Sequence, residues 1–387
     1  MMLMIAVAGV GLLVAIIGVA LYQRPASKPA RPASPPPRPT RAVAVDTGAL
    51  ERQPPPPAKD EAPSAPLEMP PALADFMLIG EADISLEMQA QLQASLNNIS
   101  LPHRSLRDLM SPDFLESGAS KKLSELILRE PMLAARLLAR VNSSFYGLQS
   151  AIVSVPHAIT FLGISAVRNL SLRFMAEDSF KAETPEMQAL FANVWDAGMI
   201  ASELCVLLAQ KLGWKETATS STQTVLSFLG CIATMTLLSQ ESATRAWRSG
   251  LLVQTEIEQE ELGLNSMIVG GVLMRLWGLP QSIIDDVNAT QRILVTPVQE
   301  IQRSDRARLA LCYLSSRVGQ RIALGAIHEA RDINLGASTE AEDYHLHGYL
   351  GLPELARIHE HLAAPDIGLA IARMISSVNP ADAPASA

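Results

Sequence analysis

Ile127 to Leu170 reads ILREPMLAARLLARVNSSFYGLQSAIVSVPHAITFLGISAVRNL, and its punctuation sets the fold. Leu123, Leu126 and Ile127 form one apolar stripe just ahead of it. Pro131 suits the first turn of a new helix, where its missing N–H costs nothing. Leu133, Leu137, Leu138 and Val141 then recur at helical spacing. That helix should stop near Asn142 to Ser144, with Gly147 in the turn beyond. Ser154 fits an N-cap for a short helix with Pro156 in its first turn and Ile159 and Leu162 facing inward. Gly163 should close it. Ser165 is expected to cap the next helix, whose inner face holds Val167, Leu170 and Phe174.

Downstream, the same periodicity predicts helices around Phe191 to Leu212, Val225 to Leu238, Ser266 to Trp277, Ile283 to Ala289 and Arg306 to His328. Alternating runs bounded by turn residues are scarce. The expected fold class is all-α, a packed multi-helix bundle.

Upstream the chain changes character twice. Leu3 to Tyr22 carries no charge over twenty residues. At about 1.5 Å per residue such a helix matches a bilayer core of roughly 30 Å. A cleaved signal peptide is the alternative, opposed by the missing basic residue before the run and by its length. Arg24, Lys28, Arg31, Arg38 and Arg41 follow the span before any acidic residue. The positive-inside rule then places the N-terminus outside and the rest in the cytoplasm, as a single-pass protein of the cytoplasmic membrane. Gly11 and Ala15 make one small-xxx-small pair, which would allow a homodimer. Between Arg24 and Pro71 lie 15 of the 26 prolines. Proline fixes φ and removes donors, so this stretch reads as a semi-rigid spacer. The expected organisation is a transmembrane helix at 3–22, a proline-rich disordered linker at 23–75, a helical domain at 95–300, a C-terminal helical extension at 301–378 and a disordered tail at 379–387.

The quoted stretch resembles the first part of an HDOD domain. The residues that carry the likeness are Glu130-Pro131, Asn142-Ser143, Tyr146-Gly147, Ile152 and Leu162-Gly163. Farther on, RLWGLPQSII (Arg275 to Ile284), with Trp277 and Pro280, resembles the family's W-x-L-P segment, with Val269 to Gly271 before it. The likeness runs over roughly Ile99 to Thr290. HDOD domains are related to HD-type metal-dependent phosphohydrolases and are thought to have lost catalysis. The resemblance therefore implies a regulatory or scaffolding module of bacterial signalling.

An HD-type hydrolase needs imidazoles and carboxylates to bind metal and polarise water. No histidine occurs between His157 and His328. By pattern, the family's ligand positions fall on Ala197, on Ala233 and Thr234, on Ser266, and on Thr290 with Gln291. The expectation is a pseudoenzyme with no catalytic residues, no metal and no cofactor. The rival is a divergent phosphohydrolase built on carboxylates, for which Asp196, Glu203, Asp285 and Asp286 are the candidates. Asp196 and Glu203, seven apart, share a helix face that reads as solvated.

Other features read as structural. His345 with His347 and His359 with His361 are expected to be exposed, and residues two apart on a helix cannot share a ligand face. Pro156 to Phe174 mimics a helix-turn-helix, but it offers only Arg168, Asn169 and Arg173 on a chain of net charge −8, so no nucleic-acid partner is expected. Val253 to Leu262, with Glu256, Glu258, Glu260 and Glu261, reads as an exposed face or turn. Cys205, Cys231 and Cys312 form no CxxC pair and read as core thiols in a reducing compartment. No P-loop, dinucleotide fingerprint or nucleophile elbow occurs. The expected partners are other proteins, with the membrane engaged through residues 3–22.

Overall fold

The computed structural model describes residues 68–100, 108–109, 114, 120–143, 146–215, 217–336 and 338–378. The membrane span at 3–22, most of the proline-rich linker and the tail at 379–387 lie outside the described residues. Among the described residues the fold is all-helical, with no strand. The helical body begins inside the last residues assigned to the linker. Pro71–Ala74 is a short helix (α1) whose Leu73 is buried, so the segment 71–74 packs rather than extends.

Leu86–Leu96 (α2) is capped by the Ser85 hydroxyl. Ser120–Leu128 (α3) and Pro131–Val141 (α4) follow, with Pro131 in the first turn of α4. Val155–Leu162 (α5) is capped by Ser154, whose hydroxyl accepts from the His157 N–H. Ile164–Glu177 (α6) starts at once after Gly163, which serves as its N-cap at φ 86°. Ser165 is therefore inside α6 and not its cap. A glycine in that conformation turns the chain with no residue left over for a capping side chain.

Pro185–Lys211 (α7) is the spine of the body, capped by Thr184. It is long and apolar enough to cross a membrane, yet most of its apolar residues are buried against neighbouring helices. Thr217–Met235 (α8) starts two turns before the expected Val225. Within its Ser/Thr-rich opening the buried Thr222 and Thr224 hydroxyls donate to carbonyls four residues back, on Ala218 and Ser220. Next come Gln240–Arg248 (α9), Leu251–Leu262 (α10), Ser266–Leu276 (α11) and Gln281–Gln291 (α12). Arg306–Ala323 (α13) stops before His328 because Gly325 takes φ 70°. Tyr344–Leu350 (α14), Ile358–Leu362 (α15) and Pro365–Val378 (α16) complete the chain.

Two apolar cores share α7. Its first half, Met187 to Ala201, joins one core with α2 to α6, α8, α11 and α12. Its second half, Leu204 to Ala209, joins another with α13 to α16. Each fully buried Leu or Ile there is worth about 1.5–3 kcal/mol of transfer free energy. Residues 301–378 are thus packed on the same long helix as the upstream bundle, with Gly319 of α13 seated against the backbone of Ala197 and Ala201.

Candidate functional site

The motif residues at 131–163 are turn chemistry. Asn142 ends α4 and acts as a clamp. Its Nδ2 donates to the Leu138 and Ile152 carbonyls at 2.7 and 2.8 Å, and its Oδ1 accepts from the Ile152 N–H at 2.8 Å. Ser143 follows directly, half-buried at the turn. Tyr146 meets Phe161 edge-on at 6.1 Å. Gly147 adopts φ 55°. Trp277 packs against Phe180 at 6.0 Å, and Pro280 sits at the N-cap of α12. These residues fix where helices stop and start.

The positions expected to have lost metal ligands are taken up in helix packing and local hydrogen bonds. Ala197 faces α13. Ala233 and Thr234 are fully buried, and the Thr234 hydroxyl donates to the Gly230 carbonyl at 2.8 Å. Gly230 touches Gly270, and a Cβ at Gly230 would run into the Ser266 carbonyl oxygen, so α8 and α11 meet backbone to backbone. Ser266 gives its N–H and hydroxyl to the two oxygens of Glu258, at 2.7 and 2.5 Å. Thr290 accepts from Gln223 Nε2 at 2.5 Å.

Thr290 and Gln291 do line a small, partly open pocket of about 40 Å³. The α8 residues that share it are Ser227, Phe228 and Cys231, the last of them two residues before Ala233. The other polar groups on its wall include Gln254, Ser316 and Arg317. Arg317 is 4% exposed and bonds to Gln320 and Glu342. Burial pulls its guanidinium below the ordinary range, against the charge of its neighbours. Hydroxyls, amides, one thiol that burial keeps protonated and one cation are a poor set for a divalent ion, which needs deprotonated or imidazole donors and no positive charge beside it. The residues present at this pocket do not fit a metal. Among the described residues, no three His, Cys, Asp or Glu side chains are grouped to hold one.

The carboxylate candidates are also separated. Asp286 pairs with Arg308 at 2.9 Å, and Asp285 accepts from Gln281 at 2.8 Å, both on α12. Glu203 is exposed, as expected of a solvated face, while Asp196 is half-buried and paired. They line a groove of about 400 Å³ between α6 and α7, in which Arg173 holds Asp196 at 2.6 Å and Glu177 at 2.6 Å.

Three further expectations change. Glu258 lies in the acidic stretch assigned to the surface but is 2% exposed, and burial raises its carboxyl. The signal was present in the spacing, since Leu251, Thr255, Glu258 and Leu262 fall on one helix face. His345 is buried at 9% exposure, where desolvation lowers its imidazole, while the His347 ring lies 3.1 Å from the Ser338 carbonyl and His359 is exposed. Arg168 and Asn169, imagined on a recognition helix, are 1% and 3% exposed. Arg168 donates to the Ala218 carbonyl at 2.8 Å, and burial brings it down to about 10.

Sequence reasoning missed a buried ionic cluster. Glu342 accepts from the Leu251 N–H at 2.6 Å at the start of α10, and also pairs with Arg317 and Arg321. Arg321 holds Asp343 at 3.0 Å. Nothing local betrays this cluster, because its partners lie 21 to 91 residues apart.

Comparison with known proteins gives a match to the HDOD domain model over residues 114–293. No curated protein matches. Among solved structures, a protein of Shewanella amazonensis SB2B named as a candidate phosphohydrolase is 16% identical, over 75% of this chain and 98% of its own, with a TM-score of 0.49. An HDOD domain protein of unknown function from Geobacter sulfurreducens is 18% identical, over 73% and 98%, with a TM-score of 0.40. The MmoQ response regulator from Methylococcus capsulatus str. Bath is 22% identical, over 68% and 98%, with a TM-score of 0.34. The clamp at Asn142, the glycine junction at Gly163 and the Trp277 to Pro280 segment all fall within the matched stretch, and the chain carries an HDOD domain over residues 114–293.

Proposed function

We propose that this protein is a membrane-tethered, non-catalytic HDOD module of the cytoplasmic face that binds partner proteins. One observation carries the reading. The pocket that contains Thr290 and Gln291 is walled by hydroxyls, amides, the Cys231 thiol and the buried Arg317, a set poorly suited to holding metal or activating water, which supports a non-catalytic reading. The apolar run at Leu3 to Tyr22 and the proline-rich spacer after it supply the tether. Tethering raises the concentration of the helical body near membrane-bound partners to about the millimolar range for a short linker.

Two measurements test this. Cross-linking and pull-down from solubilised membranes should recover the same partners with the full chain and, more weakly, with a chain lacking residues 1–63. That truncation spares Leu73, which is buried in the body. A phosphodiesterase assay with Mg²⁺, Mn²⁺ and Fe²⁺ should show no turnover. Turnover abolished by Asp196→Ala or Asp285→Ala would replace this reading with a carboxylate-based phosphohydrolase.

A further inference from the structure

α7 and α13 pack side by side, and two contacts set their register. Asn193 Nδ2 donates to the Ala323 carbonyl at 2.8 Å. A Cβ at Gly319 would lie 2.6 Å from the Ala197 carbonyl oxygen and 2.7 Å from the Ala201 Cβ. As α7 runs forward from Asn193 to Ala201, its partner on α13 runs back from Ala323 to Gly319, so the helices are antiparallel. Two turns farther, about 11 Å along the axis, the same register sets Cys312 of α13 opposite Cys205 of α7.

The side chains agree with that register. Cys205 and Cys312 are fully buried in the same apolar core. The Cys312 thiol donates to the Ser220 carbonyl at 3.5 Å, and the Cys205 thiol is its hydrogen-bonding neighbour. That contact with Cys312 holds Cys205 below its ordinary value against the effect of burial, with smaller help from Thr224 and Ser315. Burial, and then the neighbouring sulfur, push Cys312 well up. The pair is therefore unequal, with Cys205 the readier nucleophile. Cys231 is the contrast. It belongs to the other core, its sulfur accepts from Gln254 Nε2 at 3.3 Å, and burial beside Glu258 raises it well above its ordinary value.

A buried thiol alone is inert. Two thiols facing each other from separate helices have a further option. A disulfide needs Cα atoms about 4.4–6.8 Å apart, which facing residues of closely packed helices reach. We infer that Cys205 and Cys312 are a reversible redox pair, closing to a disulfide that ties α7, the spine of the HDOD bundle, to α13 beyond the matched domain. When α13 opens locally, the Cys205 thiolate attacks one sulfur of a small disulfide such as oxidised glutathione, and one glutathione thiolate leaves. Cys312 gives up its proton and attacks the Cys205 sulfur, which releases the second glutathione. Two protons and two electrons leave the protein, and one small disulfide becomes two thiols. Under reducing conditions the pair stays open, and under oxidising conditions it closes. This inference rests neither on partner binding nor on the absence of catalysis.

Mass spectrometry on the full-length chain in detergent tests it. The chain is held in glutathione buffers of rising oxidised fraction, at temperatures up to the unfolding transition, then quenched in acid, unfolded and alkylated. The reduced chain should take three alkyl groups, one for each free cysteine. The oxidised chain should take one, on Cys231, and weigh about 2 Da less before alkylation. Peptide mapping should give the Cys205 to Cys312 link about tenfold or more over either link to Cys231. Dithiothreitol should restore all the thiols. Cys231→Ser should keep the linkage and Cys205→Ser should abolish it, and the wild-type mapping stands by itself if a variant misfolds. The chain oxidised in denaturant supplies the reference mixture of links. Hydrogen exchange should slow across α13 once the bond forms. Four results overturn the inference: every thiol still alkylated in the most oxidising buffer, glutathione retained on Cys205 or Cys312 in place of the link, a native distribution of links equal to that in denaturant, or exchange across α13 unchanged by oxidation.

Discussion

α8 and α11 meet through two glycines, whereas α6 and α7 meet through an asparagine, an arginine and the acids opposite them. At the first crossing Gly230 lies on Gly270 with no side chain between them. At the second, Arg173 reaches across to Asp196 and Asn169 to Ser202, and a groove of about 400 Å³ stays open alongside. The same fold thus contains a seam closed by absent side chains and a cleft propped open by long polar ones. The sealed seam lies where metal ligands were expected, at Ala233, Thr234 and Ser266. The open cleft runs along α7 from Asp196 to Gln210. The lesson is that a bundle's capacity for ligands moves with the size of the residues at its crossings, not with its topology.

The seam gives the largest expected effect. Gly230→Ala places a Cβ against the Ser266 carbonyl oxygen, which is backbone and cannot turn away. α8 and α11 must part, and the loss should exceed about 3 kcal/mol, at the upper end of overpacking penalties. Chemical denaturation measures it. A loss under about 1 kcal/mol would mean the crossing is looser than described. Arg317→Ala comes next. It removes the main partner of a buried glutamate while leaving Arg321 and the Leu251 N–H in place. With that partial compensation, about 3 kcal/mol is expected, the low end for breaking a buried pair. The same experiment on Arg317→Ala/Glu342→Leu should recover part of it, because the stranded charge is gone.

The helix boundaries at 131, 142, 154 and 163 were legible in sequence because each rests on local backbone chemistry: a proline in a first turn, an asparagine that mimics backbone, a serine cap, a glycine at positive φ. The cap at Ser165 was misplaced because Gly163 does two jobs, ending α5 and starting α6. The buried polar groups were harder. Thr222 and Thr224 look like a loop until their hydroxyls are seen to close on carbonyls of the same helix. Glu258 is hidden in a run of glutamates, and only its phase on the helix sets it apart. The groove could not be read at all. It depends on which residues of α6 oppose which residues of α7, and neither stripe carries a motif.

Glu258 also makes the sealed side respond to pH. Burial raises its carboxyl above the ordinary 4.5, despite donors from Ser266 and Gln254. A carboxyl raised in the folded state contributes stability that is complete below the unfolded value and is lost as pH rises through the folded one. The wild-type chain should therefore lose stability, relative to Glu258→Gln, as pH climbs from about 4.5. Denaturation midpoints of the pair across pH 4 to 8 measure this, at about 1.4 kcal/mol for each unit of pKa shift. A difference that stays flat would mean Glu258 titrates normally and is not enclosed.

The smallest effect is expected on the open side, at Asp196→Asn. The Arg173 to Asp196 pair faces the groove, where water screens it, and Arg173 keeps Glu177 at 2.6 Å when Asp196 loses its charge. The amide can still accept from the guanidinium. The cost should stay below about 1 kcal/mol, in the range of solvent-facing ion pairs. The measurement is the same denaturation curve that reads Gly230→Ala, which makes the contrast direct. If Asp196→Asn proved as damaging as the glycine substitution, α6 and α7 would be locked together rather than held apart, and the cleft would be a packing interface with no room for a ligand.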